Sequence, residues 1–140
     1  SVSTTNTTSK KPGDIIEKIN GDSQIIYEIT TKIFSDDRMI ESYESVMDYD
    51  KSLKDVVVIC RPQDVPESLS EKTTSYVMAT AQFRELAYYF INIYDYIQSS
   101  IILLTPAGRK TFYEELIRYV NDTNTSEKVK RYFKQWHADK

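Results

Sequence analysis

From Glu67 to Thr105 the chain contains neither glycine nor proline, and within that run residues 73–97 carry a helical repeat. Tyr76, Thr80, Phe83, Ala87, Phe90, Tyr94 and Ile97 follow one another at spacings of four and three. Ala79, Leu86 and Ile93 widen that seam into a broad apolar face. A helix of this length spans roughly 35–40 Å at ~1.5 Å per residue. Apolar over more than half its circumference, it has to be covered by other helices. The periodicity therefore predicts an all-α fold: a single compact bundle, or a short right-handed superhelix, of six to seven helices around a long central helix at residues 73–98.

Composition supports the same expectation. Three Gly and four Pro in 140 residues leave few tight turns for a sheet-rich fold. With 40% hydrophobic and 28% charged residues the chain is globular, and its length is that of one domain. Residues 1–13 are Ser/Thr/Asn/Lys-rich and nearly free of apolar groups, so they read as a disordered linker, and 14–138 as a helical interaction domain. The absence of an initial Met suggests a module cut from a longer protein.

Further helices are read along the chain. Asp14 caps a short one carrying Ile15, Ile16 and Ile19, which Asn20-Gly21 terminates. Asp22 and Ser23 open the next, with Ile25, Ile26, Ile29 and Ile33 on one face. A third starts at Asp36-Asp37 and turns Met39, Ile40, Tyr43, Val46 and Met47 inward. Val56-Val-Val-Ile-Cys60 suits a buried strand as well as a helix, and Ile101 to Leu104 could pair with it as a short ribbon, but helix is favoured. Pro62 and Pro66 mark an irregular loop. Thr105-Pro106 is a cap followed by Pro at the first helical position, opening a helix through Phe112, Leu116, Ile117 and Val120. The last helix shows Val129, Tyr132, Phe133 and Trp136 as one stripe.

Catalytic chemistry finds little support in this pattern. His137 is the only histidine and Cys60 the only cysteine, too few for a zinc site and without an evident nucleophilic partnership. Cys60 lies in an apolar run, where a buried inert thiol is expected. Gly13, Gly21 and Gly108 are isolated, so no phosphate loop exists. We expect no enzyme, no cofactor, no metal and no small-molecule substrate. A single Cys excludes an intramolecular disulfide and fits an intracellular protein of cytoplasm or nucleus. No apolar run is long enough to span a membrane.

Charge is more informative. Six acids against Arg38 lie between Asp36 and Asp50, whereas eight bases and five acids lie between Arg109 and Lys140. An acidic end and a basic end suggest docking of an oppositely charged protein or peptide, and the basic helix makes an acidic segment the natural partner. Arg118, Lys128, Arg131, Tyr132, Lys134 and Trp136 are the candidate partner-binding residues. Nucleic acid is disfavoured by the overall charge of −3.

The run Lys110-Thr-Phe-Tyr-Glu-Glu-Leu-Ile-Arg-Tyr-Val and, after a polar turn, Glu127-Lys-Val-Lys-Arg-Tyr-Phe-Lys-Gln-Trp136 resemble the closing helices of VHS-type and CTD-interacting-type domains. Those are α-superhelices that bind peptides, so the resemblance implies an adaptor or scaffold module recognising a partner protein. It covers residues 83–136 and carries over no binding residue. Two alternatives stand beside it: a helical or winged-helix nucleic-acid module, and a viral Bcl-2-like partner-binding bundle.

Overall fold

A computed structural model describes residues 12–19, 23–69, 71–101, 106–122 and 126–138. It overturns the all-α expectation. Five strands, β1 (Ile15–Ile19), β2 (Ser23–Ile29), β3 (Asp55–Cys60), β4 (Val77–Phe83) and β5 (Leu86–Asn92), form one mixed sheet in the order β1-β2-β3-β5-β4. Four α-helices are found among the described residues: α1 (Asp36–Tyr49), α2 (Ile93–Ile101), α3 (Pro106–Val120) and α4 (Ser126–Ala138). The fold is neither a helical bundle nor a superhelix.

The predicted central helix at 73–98 is instead a β-hairpin followed by the first turns of α2. Its 3.6-residue pattern coexists with a 2-residue one. Leu86, Tyr88 and Phe90 are fully buried while Ala87 and Tyr89 between them are half-buried, the mark of a strand covered on both faces. Aromatic and β-branched residues resolve the ambiguity toward strand. The hairpin turn has no Gly or Pro because Arg84 itself takes the left-handed conformation, at φ 52°. Its guanidinium stacks on Tyr43 and Phe83, at 5.0 and 5.1 Å from the ring centroids, and Gln82 Nε2 donates to its carbonyl at 2.8 Å. Side chains supply what glycine would ordinarily permit.

The two short helices expected between Asp14 and Phe34 are β1 and β2, an antiparallel pair from Ile15↔Tyr27 to Ile19↔Ser23. Asn20-Gly21, read as a helix terminator, is equally a hairpin signal and lies outside the described residues. Residues 56–60 take the strand alternative: β3 pairs in parallel with both β2 and β5, so it is the centre of the sheet and needs β-branched residues on both faces. Of the suggested ribbon partner, Ile101 ends α2 and residues 102–104 lie outside the described residues, while β3 has β2 and β5 on its two sides. The linker expected at 1–13 is likewise described only from Pro12.

The helices expected from Asp36 and Pro106 do form. Ser35, rather than Asp36, caps α1 by accepting from the Arg38 amide at 3.2 Å. Met39 and Val46 point into the core, while Ile40 is exposed. α1 covers one face of the sheet over Ile26, Val56, Val58, Tyr88 and Phe90, and α2 to α4 cover the other over Ile29, Ile59 and Ile91. Phe34 locks the first layer, edge-on to Phe90 at 5.6 Å. No described helix is long and apolar enough to cross a membrane.

Candidate functional site

β2 alternates its side chains between the two faces, so Ile26 and Glu28 share the side that α1 covers. A lone acid in an isoleucine-rich strand is costly to bury unless something compensates it. Across from it, Gly13 at φ +66° brings β1 close to β2. A Cβ there would sit 2.7 Å from the Ile26 side chain and 2.8 Å from the Tyr27 carbonyl oxygen. This approach lets the Asp14 amide donate to the Tyr27 carbonyl at 2.8 Å, and Asp14 Oδ2 accept from the Ile29 amide at 2.8 Å. Asp14 is thereby pinned beside Glu28 at the end of the β1–β2 ladder.

Both carboxyl groups line a cleft of about 570 Å³ shared with Arg38, Glu41, Ser42 and Ser45 of α1 and Glu127 and Lys130 of α4. Lys130 Nζ lies 3.5 Å from Asp14 Oδ1 and 4.0 Å from Glu127. Glu28 Oε2 is buried and has no hydrogen-bond partner among the described residues. Burial raises its pKa to about 7, and Asp14 adds to the rise, while Arg38, the Ser42 hydroxyl and Lys130 pull it back. The Ser42 hydroxyl itself accepts from Tyr88 at 3.0 Å. Four carboxyl groups face two cations across this cleft. The carboxyl groups therefore outnumber the cations by two.

The loop that holds Arg38 in place is fixed by an ion pair. Arg61 Nε and Nη2 grip both oxygens of Asp64, at 2.7 and 3.0 Å, and Nη2 also donates to the Thr31 carbonyl at 2.6 Å. That bond ties down the exit of β2, where Thr30 Oγ1 accepts from Arg38 Nη1 at 2.8 Å. Among the described residues no cluster of three or more His, Cys, Asp or Glu surrounds a common point. A cation here would rest on two carboxylates and complete its shell with water and substrate oxygens, as Mg²⁺ commonly does.

The residues expected to bind a partner gather elsewhere on α4. Lys128, Arg131 and Tyr132 line a second cleft of about 310 Å³ with Tyr119 and Gln135. Tyr119 and Tyr132 stack at 5.9 Å with 23° between planes, and both hydroxyls donate to Glu115. Arg118 and Lys128 each lie 5.2 Å from the Tyr119 ring centroid. Lys134 is exposed nearby, and the Trp136 side chain lies outside the described residues. The sequence reading passed over Asp14 as a helix cap and gave Glu28 no role. The available signal was an acid enclosed by Ile25, Ile26 and Ile29. Cys60 is buried, with its thiol pushed up to about 12 by desolvation. No family profile, curated protein or solved structure matches this chain significantly.

Proposed function

We propose that the Asp14–Glu28 cleft binds a divalent cation and hydrolyses a phosphodiester bond. One observation carries this reading: the buried Glu28 carboxyl opens with Asp14 onto a cleft where carboxyl groups outnumber cations. The cation would supply the missing charge, polarise a phosphoryl oxygen and make water acidic enough to attack. Asp14 and Glu28 would hold it. Lys130 and Arg38 offer positive charge to the non-bridging oxygens of the phosphate. The water oxygen forms the new bond to phosphorus as the bond to the leaving oxygen breaks. One water proton ends on the leaving oxygen and the other stays on the new monoester. The chain's net charge of −3 does not oppose an anionic substrate here, because a bound divalent cation would cancel the local excess of negative charge.

The test is cation-dependent stabilisation by Mn²⁺ or Mg²⁺ together with hydrolysis of bis(p-nitrophenyl) phosphate. Asp14→Asn and Glu28→Gln should each abolish both. Cation-dependent cleavage surviving in the double variant, or no stabilisation of the parent by either ion, would overturn the reading. A second reading, docking of an acidic protein segment, is supported by Lys128, Arg131 and Lys134, which are exposed and have no ion-pair partner among the described residues. The free, buried Cys60 supports an intracellular place of action for either.

A further inference from the structure

The sheet has two edges, β1 and β4, and they are closed differently. β1 carries Glu17 and Lys18, and Lys130 of α4 reaches Asp14 just ahead of it. Charges of this kind discourage another strand from pairing there. β4 reads Val-Met-Ala-Thr-Ala-Gln-Phe and holds neither charge nor proline. Its ladder with β5 includes Thr80↔Tyr89, Ala81↔Tyr88, Gln82↔Ala87 and Phe83↔Leu86. The Ala87 amide donates to the Lys54 carbonyl at 2.8 Å, on the β3 side of β5. Gln82 and Ala87 therefore form a non-hydrogen-bonded pair, and Gln82 turns its own N–H and C=O outward. Alternation gives Thr80 the same direction. On that side neither backbone has a hydrogen-bond partner among the described residues. Nearer the start of β4 the edge is closed. The Thr73 amide donates to the Met78 carbonyl at 2.8 Å, and the Thr73 and Ser75 hydroxyls donate to the Val77 carbonyl at 3.3 and 3.1 Å. The open stretch is 79–83, anchored at its far end by the Arg84 guanidinium on Tyr43 and Phe83.

We propose that this stretch pairs with the same stretch of a second copy of the chain, antiparallel about a two-fold axis at Ala81, so that the two sheets become one. The inference is independent of the cleft chemistry above. Pairing about Ala81 sets Thr80 opposite Gln82 of the second copy, and Gln82 opposite its Thr80. Each of these pairs exchanges two hydrogen bonds, which uses every outward group of the two residues. A register slid toward the start of β4 would meet the Thr73–Ser75 closure, and one slid toward its end would run into the turn at Arg84. The side chains suit the same register. On the α1 face Ala81 meets its own copy, and a small residue is what the axis leaves room for. On the other face the exposed Thr80 meets the exposed Gln82. A two-fold contact sets like beside like, so any charge near the axis would repel itself. The absence of charge from β4 is the condition for pairing with itself. A two-fold axis normal to the sheet leaves both α1 helices, with their acidic residues, on one side of it. With a net charge of −3 on each copy, long-range charge opposes this association, and backbone pairing drives it.

Sedimentation velocity and amide exchange followed by NMR test this on the full chain. Raising the protein concentration should shift the mass from one copy toward two. It should also slow exchange of the Thr80 and Gln82 amides, which are fast in dilute solution. Added salt should tighten the pair, because it screens like net charges. Thr80→Lys with Gln82→Lys sets ammonium against ammonium across the axis and should abolish association. Both positions are exposed, so the denaturant midpoint should stay where it was. Thr80→Lys with Gln82→Glu sets opposite charges across the same axis and should restore association to the parent level or above. A register centred on Thr80 would bring like charges together in both variants. A chain that sediments as one copy up to about millimolar concentration would overturn the proposal. So would association that survives the like-charge variant, or Thr80 and Gln82 amides already slow in dilute solution. Association that salt loosens would overturn it as well, pointing to α1 of one copy against Lys128, Arg131 and Lys134 of another. Amide exchange in the unchanged chain decides the matter even where a variant fails to fold.

Discussion

Replacing Glu28 by Gln should make the protein more stable at alkaline pH and leave little titration-linked gain in acid. The Glu28 pKa stands at about 7 in the folded chain against an ordinary 4.5. Between those values the folded state holds a proton that the unfolded chain has released, so stability falls as pH rises through this window. The full cost above both values is about 3 kcal/mol, from 1.36 kcal/mol per unit. Linkage places about 2–3 kcal/mol of it between about pH 5 and about pH 8. Gln has the same shape and never ionises. Its buried amide carries a cost of its own, but that cost does not depend on pH and cancels when the two pH values are compared. The assay is urea unfolding of parent and Glu28→Gln at both pH values. The variant should gain about 2–3 kcal/mol on the parent from the lower to the higher pH, or roughly 6–10 °C in Tm. Saturating Mn²⁺ should remove most of that slope from the parent alone, since a bound cation holds the carboxylate ionised. A difference between the two proteins that is the same at both pH values would refute the reasoning. It would mean that Glu28 is not desolvated as the cleft geometry requires.

Gly13→Ala should cost upwards of 1 kcal/mol and weaken Mn²⁺ stabilisation, because its Cβ meets the Tyr27 carbonyl at 2.8 Å and drives Asp14 away from β2; denaturant midpoints and a cation titration check both effects. Asp64→Ala should cost about 3–5 kcal/mol by leaving Arg61 buried and unpaired, read from thermal unfolding. Phe90→Ala should cost about 3–5 kcal/mol and Phe83→Ala clearly less, as Phe90 is fully buried and Phe83 is not. Cys60 should resist a thiol reagent at neutral pH until the protein unfolds, its thiol being buried and held protonated to about 12.

Local chemistry in the sequence determined α1, the start of α3 and the buried stripe of α4. Ser35 ahead of Asp36-Asp37, Pro106 at a first turn, and Val129 with Phe133 each specify a helix from neighbours within a few residues. The sequence also determined the inert Cys60 and the clustering of Lys128, Arg131 and Tyr132, because residues three and four apart on a helix meet whatever else the fold does. The sheet was beyond that reach. In residues 76–97 the apolar positions satisfy a period of 3.6 and a period of 2 together, and only pairing of β5 with β3 and β4 decides between them. The turn at Arg84 was hidden for the same reason: its left-handed backbone is held by Tyr43 from α1, which is distant in sequence. The carboxylate cleft is wholly tertiary. Asp14 meets the amide of Ile29 only through the β1–β2 register, and Lys130 reaches Asp14 only after α4 has packed across the opposite face of the sheet. A strand buries its acid according to what packs above it, and that is settled by the whole chain rather than by the residues beside Glu28.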